Sequence, residues 1–79
     1  MKVQVHTTLK EGVLDPQGEA IKHALKSLEY NTVESVRQGK VIEILLDETS
    51  EERANKSIQE MCKKLLANTV IESYEIEII

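Results

Sequence analysis

Strict alternation marks the start of the chain. In KVQVHTTL, Val3, Val5, Thr7 and Leu9 point one way and Lys2, Gln4, His6 and Thr8 the other, the period of a half-buried strand. The period then changes. In DPQGEAIKHALKSL, Ala20, Ile21, Ala24, Leu25 and Leu28 recur at helical spacing as one apolar stripe. Asp15 is placed to cap that helix, and Pro16 stands at its first position, where a missing N–H costs nothing. Asn31, after Tyr30, is the expected left-handed stop. TVESVRQGKVIEILLD reads as a hairpin: Val33 to Arg37 as one strand, Gln38-Gly39 near the turn, Lys40 to Asp47 as the other. The second of these strands is apolar on both faces, Val41 and Leu45 against Ile42, Ile44 and Leu46, which suits a central place in a sheet. TSEE opens a second helix, with Thr49 capping and Glu52 completing a capping box. Ala54, Ile58, Met61, Cys62, Leu65 and Leu66 form its buried stripe, and Asn68 its stop. VIESYEIEII closes the chain, Tyr74, Ile76 and Ile78 alternating with Glu75 and Glu77.

The order β-α-β-β-α-β predicts an α+β fold of the ferredoxin-like kind, over residues 1–79 as a single domain. Right-handed crossovers would place both helices on one face of a four-stranded antiparallel sheet, with the first and third strands in the middle. The bare face should then carry Lys2, Gln4, His6, Thr8, Glu43, Glu75 and Glu77, with Val41, Leu45 and Ile79 among them. No linker or low-complexity segment interrupts the chain, and its two halves are a structural rather than a sequence repeat.

Composition narrows the classes of function. Two tyrosines with no Phe or Trp leave a core of small aliphatic side chains, in a chain of 79 residues where one core only just suffices. Such a core buries little area per residue, so help from oligomerisation is expected. The net charge is −4 and the pI about 5.1, with no cluster of Lys and Arg, which disfavours nucleic acid as a partner. No apolar run reaches the length of a membrane span, and MKVQV lacks the apolar region of a signal peptide. Cys62 is the only cysteine and forms no internal disulfide, in keeping with a cytoplasmic protein.

Candidate chemistry is sparse. Cys62 lies on the apolar stripe and reads as a small buried hydrophobe, and no C-x-x-C suggests a metal. His6 and His23 stand on different elements without a third ligand. Glu51, Glu52, Glu75 and Glu77 sit where a helix start or a solvated face wants acids. Gly12, Gly18 and Gly39 are isolated, so no phosphate loop is present, and the central strands lack aromatics for stacking bases. No catalytic, cofactor-binding or metal-binding residue is therefore assigned. Two polar turns remain, LKEGVLDPQG and RQGK. Local rules explain Gly12, Asp15 and Pro16, but not Gly18 in the first helical turn, where glycine costs up to ~1 kcal/mol relative to alanine. A glycine there makes sense if another backbone approaches closely.

At these residues the chain resembles the PurS family, the small subunits of phosphoribosylformylglycinamidine synthase. TLKEGVLDPQG, VRQGK, MCKKLLAN and VIESYEIEI carry the resemblance over essentially the whole length. Lys10, Gly12, Asp15, Pro16, Gln17 and Gly18 match the family's first motif, Arg37, Gly39 and Lys40 its second, and Leu66, Ala67 and Asn68 its third. The chain departs at Glu29, where a Gly is common, and at Thr69, where a Pro is common. The resemblance implies the ferredoxin-like fold and a non-catalytic bridging subunit that associates with a synthetase subunit and a glutaminase subunit. That assembly converts formylglycinamide ribonucleotide, glutamine and ATP to formylglycinamidine ribonucleotide in purine biosynthesis. It also implies a homodimer or dimer of dimers, with ATP and magnesium held by the synthetase subunit. The expected interface residues are Lys10, Glu11, Gly12, Asp15, Gln17, Gly18, Arg37, Gly39, Lys40 and Asn68. Two other readings compete. An amino-acid-sensing regulatory domain of the same fold would work joined to an enzyme or by pairing sheets around a ligand; these residues include no enzyme and no Gly-rich ligand turn after the first strand. An acylphosphatase-like enzyme would need an Arg in the loop after the first strand, where Lys10 is the only cation.

Overall fold

The computed structural model describes all 79 residues. Its elements are β1 (Lys2–Leu9), α1 (Pro16–Ser27), β2 (Gly39–Leu45), α2 (Glu51–Met61) and β3 (Glu72–Ile78), with a π turn, Cys62–Leu66, continuing α2. The strands make one antiparallel sheet in the order β2-β1-β3. In this register Val3 lies between Ile44 and Ile78, and Val5 between Ile42 and Ile76. A pleat of period two puts all six on one face. There they meet Ile58 and Cys62 of the α2 limb, and Val3, Val5, Ile58 and Cys62 become the fully buried centre. Each large aliphatic side chain buried there contributes about 1.5–3 kcal/mol.

The other face matches the alternation. Lys2, Glu43, Glu75 and Glu77 are exposed on it beside Val41, Leu45 and Ile79, with Gln4 and His6 half-buried between them. Gln4 Nε2 donates to Glu43 Oε1 (3.3 Å), Lys2 Nζ stands 3.6 Å from the same oxygen, and His6 Nε2 lies 3.2 Å from Glu77 Oε2. Water and salt screen such pairs, which makes this a solvated rather than a cross-linked surface.

Several expectations are corrected. The sheet has three strands, not four, because Val33–Arg37 joins no ladder. Val33 donates its N–H to Tyr30 O, and the following Gln38 N–H goes to the Asp15 carboxylate, so donors that a strand would use are taken locally. Consequently β2 is an edge strand and not a central one, and its second apolar set lies open, Leu45 at 76% exposure. The helices do not share a face either. Only α2 packs on the sheet; α1 buries Gly18 alone, and its stripe residues Ile21 and Leu28 are exposed. The molecule is accordingly long, 48 × 25 × 14 Å, with a radius of gyration of 15.9 Å. A compact chain of this length would have about 12 Å.

Smaller departures have local causes. Helix α2 is capped by Ser50, whose Oγ accepts from Arg53 N–H (3.3 Å), rather than by a Thr49–Glu52 box. Glu48 Oε1 accepts from Thr49 N–H (2.9 Å) and Ser50 N–H (3.2 Å), taking over what the box would have done. Of the α2 stripe, Met61 and Leu65 turn outward, Leu65 at 84% exposure. The π turn, closed by Ala67 N–H to Cys62 O (3.0 Å), advances the chain by a smaller angle per residue than an α-helix. That rotates Leu65 off the sheet and brings Ala67 into the core. At the end of α1 the left-handed residue is Glu29 (φ 73°), two positions before the expected Asn31.

Candidate partner interface

The motif residues converge at one end of the sheet, where β1 ends and β2 and β3 begin. The loop leaving β1 is a tight turn: Val13 N–H donates to Lys10 O (3.1 Å), and Gly12 sits at φ 86°, which L side chains rarely adopt. Nothing lies within 4 Å of where its side chain would begin, so backbone conformation alone calls for glycine there. Lys10 N–H donates to Ile71 O (2.8 Å), tying this turn to the segment that enters β3.

Asp15 then does two jobs. Its Oδ1 caps α1 by accepting Gly18 N–H (2.9 Å), and its Oδ2 accepts Gln38 N–H (2.8 Å) from across the chain. The N–H groups of Gln38 and Gly18, assisted by the nearby Arg37 charge, hold the carboxyl below its ordinary pKa. Residues 36–38 thus lie against the start of α1, and a Cβ on Gly18 would run into the carbonyl oxygen of Val36. The close approach that Gly18 signals is therefore made by the chain's own backbone. Gln38 Nε2 completes the contact by donating to Gln17 Oε1 (2.6 Å).

Arg37 is not a solvated hairpin tip. Its Nη2 donates to Leu9 O (2.8 Å) and Lys10 O (3.0 Å), and its Nη1 to Val13 O (3.3 Å). The two polar turns read separately in the sequence are thus one hydrogen-bonded unit. They border an open cavity of about 200 Å³ with Asp15, Gln17, Gln38, Gly39 and Lys40 in its lining, along with Thr7, Thr8, Leu9 and Glu72. Lys40 and Gly39 open β2 opposite Thr7 and Thr8.

Asn68 belongs to the neighbouring turn. Its Oδ1 accepts Val70 N–H (3.2 Å), its carbonyl accepts Ile71 N–H (3.0 Å) and Glu72 N–H (2.7 Å), and its own N–H donates to Glu72 Oε1 (2.7 Å). The outward side chains of this end are Lys10, Glu11, Leu14, Gln17 and Lys40, Leu14 at 73% exposure. Sequence reasoning missed Leu14 and Gln38. Gln38 stood inside the RQGK motif as a turn residue, and Leu14 had the signal of an apolar residue in a polar loop. Thr7, on the inward set of the alternation, is buried as expected, and its Oγ1 has no hydrogen-bond partner in the chain. Cys62 is buried as expected, and desolvation pushes its thiol pKa up, away from reactivity. No three His, Cys, Asp or Glu side chains converge as a metal would require, and no helix is long and apolar enough to cross a membrane.

Comparison with known proteins decides what kind of end this is. Residues 2–79 match the family model PurS, phosphoribosylformylglycinamidine (FGAM) synthase. The chain belongs to the PurS family. The subunit PurS of phosphoribosylformylglycinamidine synthase from Bacillus subtilis is 53% identical over 77 residues, covering 98% of this chain and 90% of the relative. The crystal structure of PurS from Methanocaldococcus jannaschii superimposes with a TM-score of 0.87 at 47% identity, covering 96% of this chain and 92% of that one. A structure of PurLQS from Thermotoga maritima contains a chain with a TM-score of 0.87 at 30% identity, covering 96% and 93%. PurS is a subunit of FGAM synthase, an enzyme of purine biosynthesis.

Proposed function

We propose that this chain is a non-catalytic bridging subunit of phosphoribosylformylglycinamidine synthase in the cytoplasm. It joins the synthetase subunit, PurL, to the glutaminase subunit, PurQ, in the assembly that makes formylglycinamidine ribonucleotide from formylglycinamide ribonucleotide, glutamine and ATP. ATP and magnesium are handled by the synthetase subunit, and this chain supplies surface. The observation that carries the reading is the imbalance between core and surface: nine of the 79 residues are buried, while Leu14, Leu28, Leu45, Leu65 and Val70 all stand open. A partner that covers these side chains gains the apolar area that the lone chain leaves in water.

The similar PurLQS assembly supplies the partner names, and the hydrogen-bonded end around Asp15 and Arg37 is where we place contact with them. The same chain also associates with itself through the open stripe of α1. A reconstituted mixture of the three proteins tests the role. Glutamine-dependent synthesis should vanish when this chain is left out and return when it is added back, while the chain alone makes no product. Full glutamine-dependent activity without it would refute the assignment. Calorimetry with free amino acids addresses the sensor alternative: saturable binding by the isolated chain would favour that reading.

A further inference from the structure

The guanidinium of Arg37 carries the observations furthest. Its two terminal nitrogens reach three carbonyl oxygens, those of Leu9, Lys10 and Val13, on a loop 24 to 28 residues earlier in the chain. Inside that loop the only backbone hydrogen bond is Val13 N–H to Lys10 O, and its only backbone tie outward is Lys10 N–H to Ile71 O. A planar fork of fixed donors is suited to gathering several acceptors at once, which a lysine ammonium on a flexible stem cannot reproduce. Arg37 takes part in no ion pair, so its hydrogen bonds are made to its own chain's carbonyls. Val36 on one side is seated against Gly18, and Gln38 on the other is held by the Asp15 carboxylate. The guanidinium is therefore anchored at its base by two independent contacts and reaches out to the loop from a rigid position.

We propose that Arg37 is a positioning residue: it holds Leu9–Val13 in the one shape that presents Lys10, Glu11 and Leu14 to a partner subunit of the synthase, and it does not itself recognise that partner. This rests on the assembly role above and deepens it, dividing the motif residues into a splint (Asp15, Gly18, Arg37) and a presented edge. The partner surface that fits the edge is an apolar recess for Leu14 flanked by a carboxylate for Lys10 and a cation for Glu11. Preorganising a binding loop strengthens association by removing the entropy lost when the loop orders on contact.

The test has one readout on the isolated chain and one on the assembly. Hydrogen exchange of the Lys10 and Val13 amides should quicken about tenfold or more in Arg37→Ala, and affinity for the two partner subunits should fall by a comparable factor. Low-millimolar guanidinium, far below denaturing concentrations, should restore both by filling the vacated site. Arg37→Lys keeps the charge without the fork and should show the same two changes in smaller measure, which also serves if Arg37→Ala folds poorly. Leu14→Ala should weaken assembly with loop exchange unchanged and no response to guanidinium. Weakened assembly with unaltered loop exchange in Arg37→Ala would make Arg37 a direct contact and overturn the proposal. So would faster loop exchange with wild-type affinity. A wild-type chain that binds neither partner subunit refutes the assembly role itself, a failure told apart by the exchange readout, which needs no partner.

Discussion

Glu29 shows how much one residue can reveal about a helix end. Tyr30 N–H donates to Leu25 O and Glu29 N–H to Lys26 O, both at 3.0 Å, which is the paired closure of a Schellman motif. That motif requires a left-handed residue at the position Glu29 fills, and Glu29 adopts φ 73°. A side chain with a Cβ pays roughly 1 kcal/mol or more for that conformation. Glu29→Gly is therefore expected to stabilise the chain by about 1 kcal/mol, a rise of roughly 4–8 °C in Tm for a domain of this size. Thermal melts of the two proteins at equal concentration check this; an unchanged or lower Tm would show that the left-handed turn carries no strain. The departure from the family's usual glycine was visible in the sequence, yet it marked the true stop two residues before Asn31, where the turn was expected.

At the scale of elements, the pattern of apolar residues was legible wherever one face had to be buried. Val3 and Val5, Ile42 and Ile44, and Ile76 and Ile78 all fall on the α2 side, as alternation requires. Asp15 and Pro16 began α1 as read. What the pattern could not supply was the destination of Val33–Arg37, because alternation says that a segment could pair and not that a partner strand exists. The competing demand came from Asp15, whose second oxygen takes the Gln38 N–H. Gly18 was legible as a close approach but not as one made by Val36, since sequence carries no record of which backbone comes near.

The start of α2 was misread for a similar reason: Glu48, outside the expected box, accepts both Thr49 and Ser50 N–H and pairs with Arg53 (Nη2 to Oε1 3.0 Å). The Arg53 contact first, and then the two N–H groups, lower the Glu48 pKa to about 2. A carboxyl whose pKa is lowered in the folded state adds stability that is fully present above its ordinary value of about 4.5 and is lost as pH falls toward 2. Glu48→Gln should thus melt below the wild type at pH 7, with the difference narrowing steadily between pH 4.5 and pH 2. Melts across that range decide it, and a difference independent of pH would mean that the side chain acts through shape rather than charge.

The whole molecule raises the question of how so small a core sustains a fold. Four fully buried side chains form the centre, and a complete helix, α1, stands apart from the sheet with Ile21 and Leu28 in solvent. A helix of 12 residues is marginal in water unless its apolar face is packed. The anchoring at its first turn, through Asp15 and Gly18, fixes its direction but buries none of its stripe. A second copy of the chain is the simplest cover available to the free protein, and the open edges of β2 and β3 provide further places to meet it. If folding and association are coupled in this way, stability obeys mass action. For a dimer that unfolds to two chains, a hundredfold rise in concentration adds about 2.7 kcal/mol per dimer, which moves Tm up by roughly 5–10 °C. Melts followed by circular dichroism from micromolar to sub-millimolar protein, with light scattering on the same samples, measure the shift and the assembly together. Leu28→Lys, at the C-terminal end of the open stripe, should lower Tm most at high concentration and leave little slope behind. A Tm independent of concentration, with scattering that reports a single chain, would mean that α1 is stable unaided and that its apolar face is kept for the synthase partners alone.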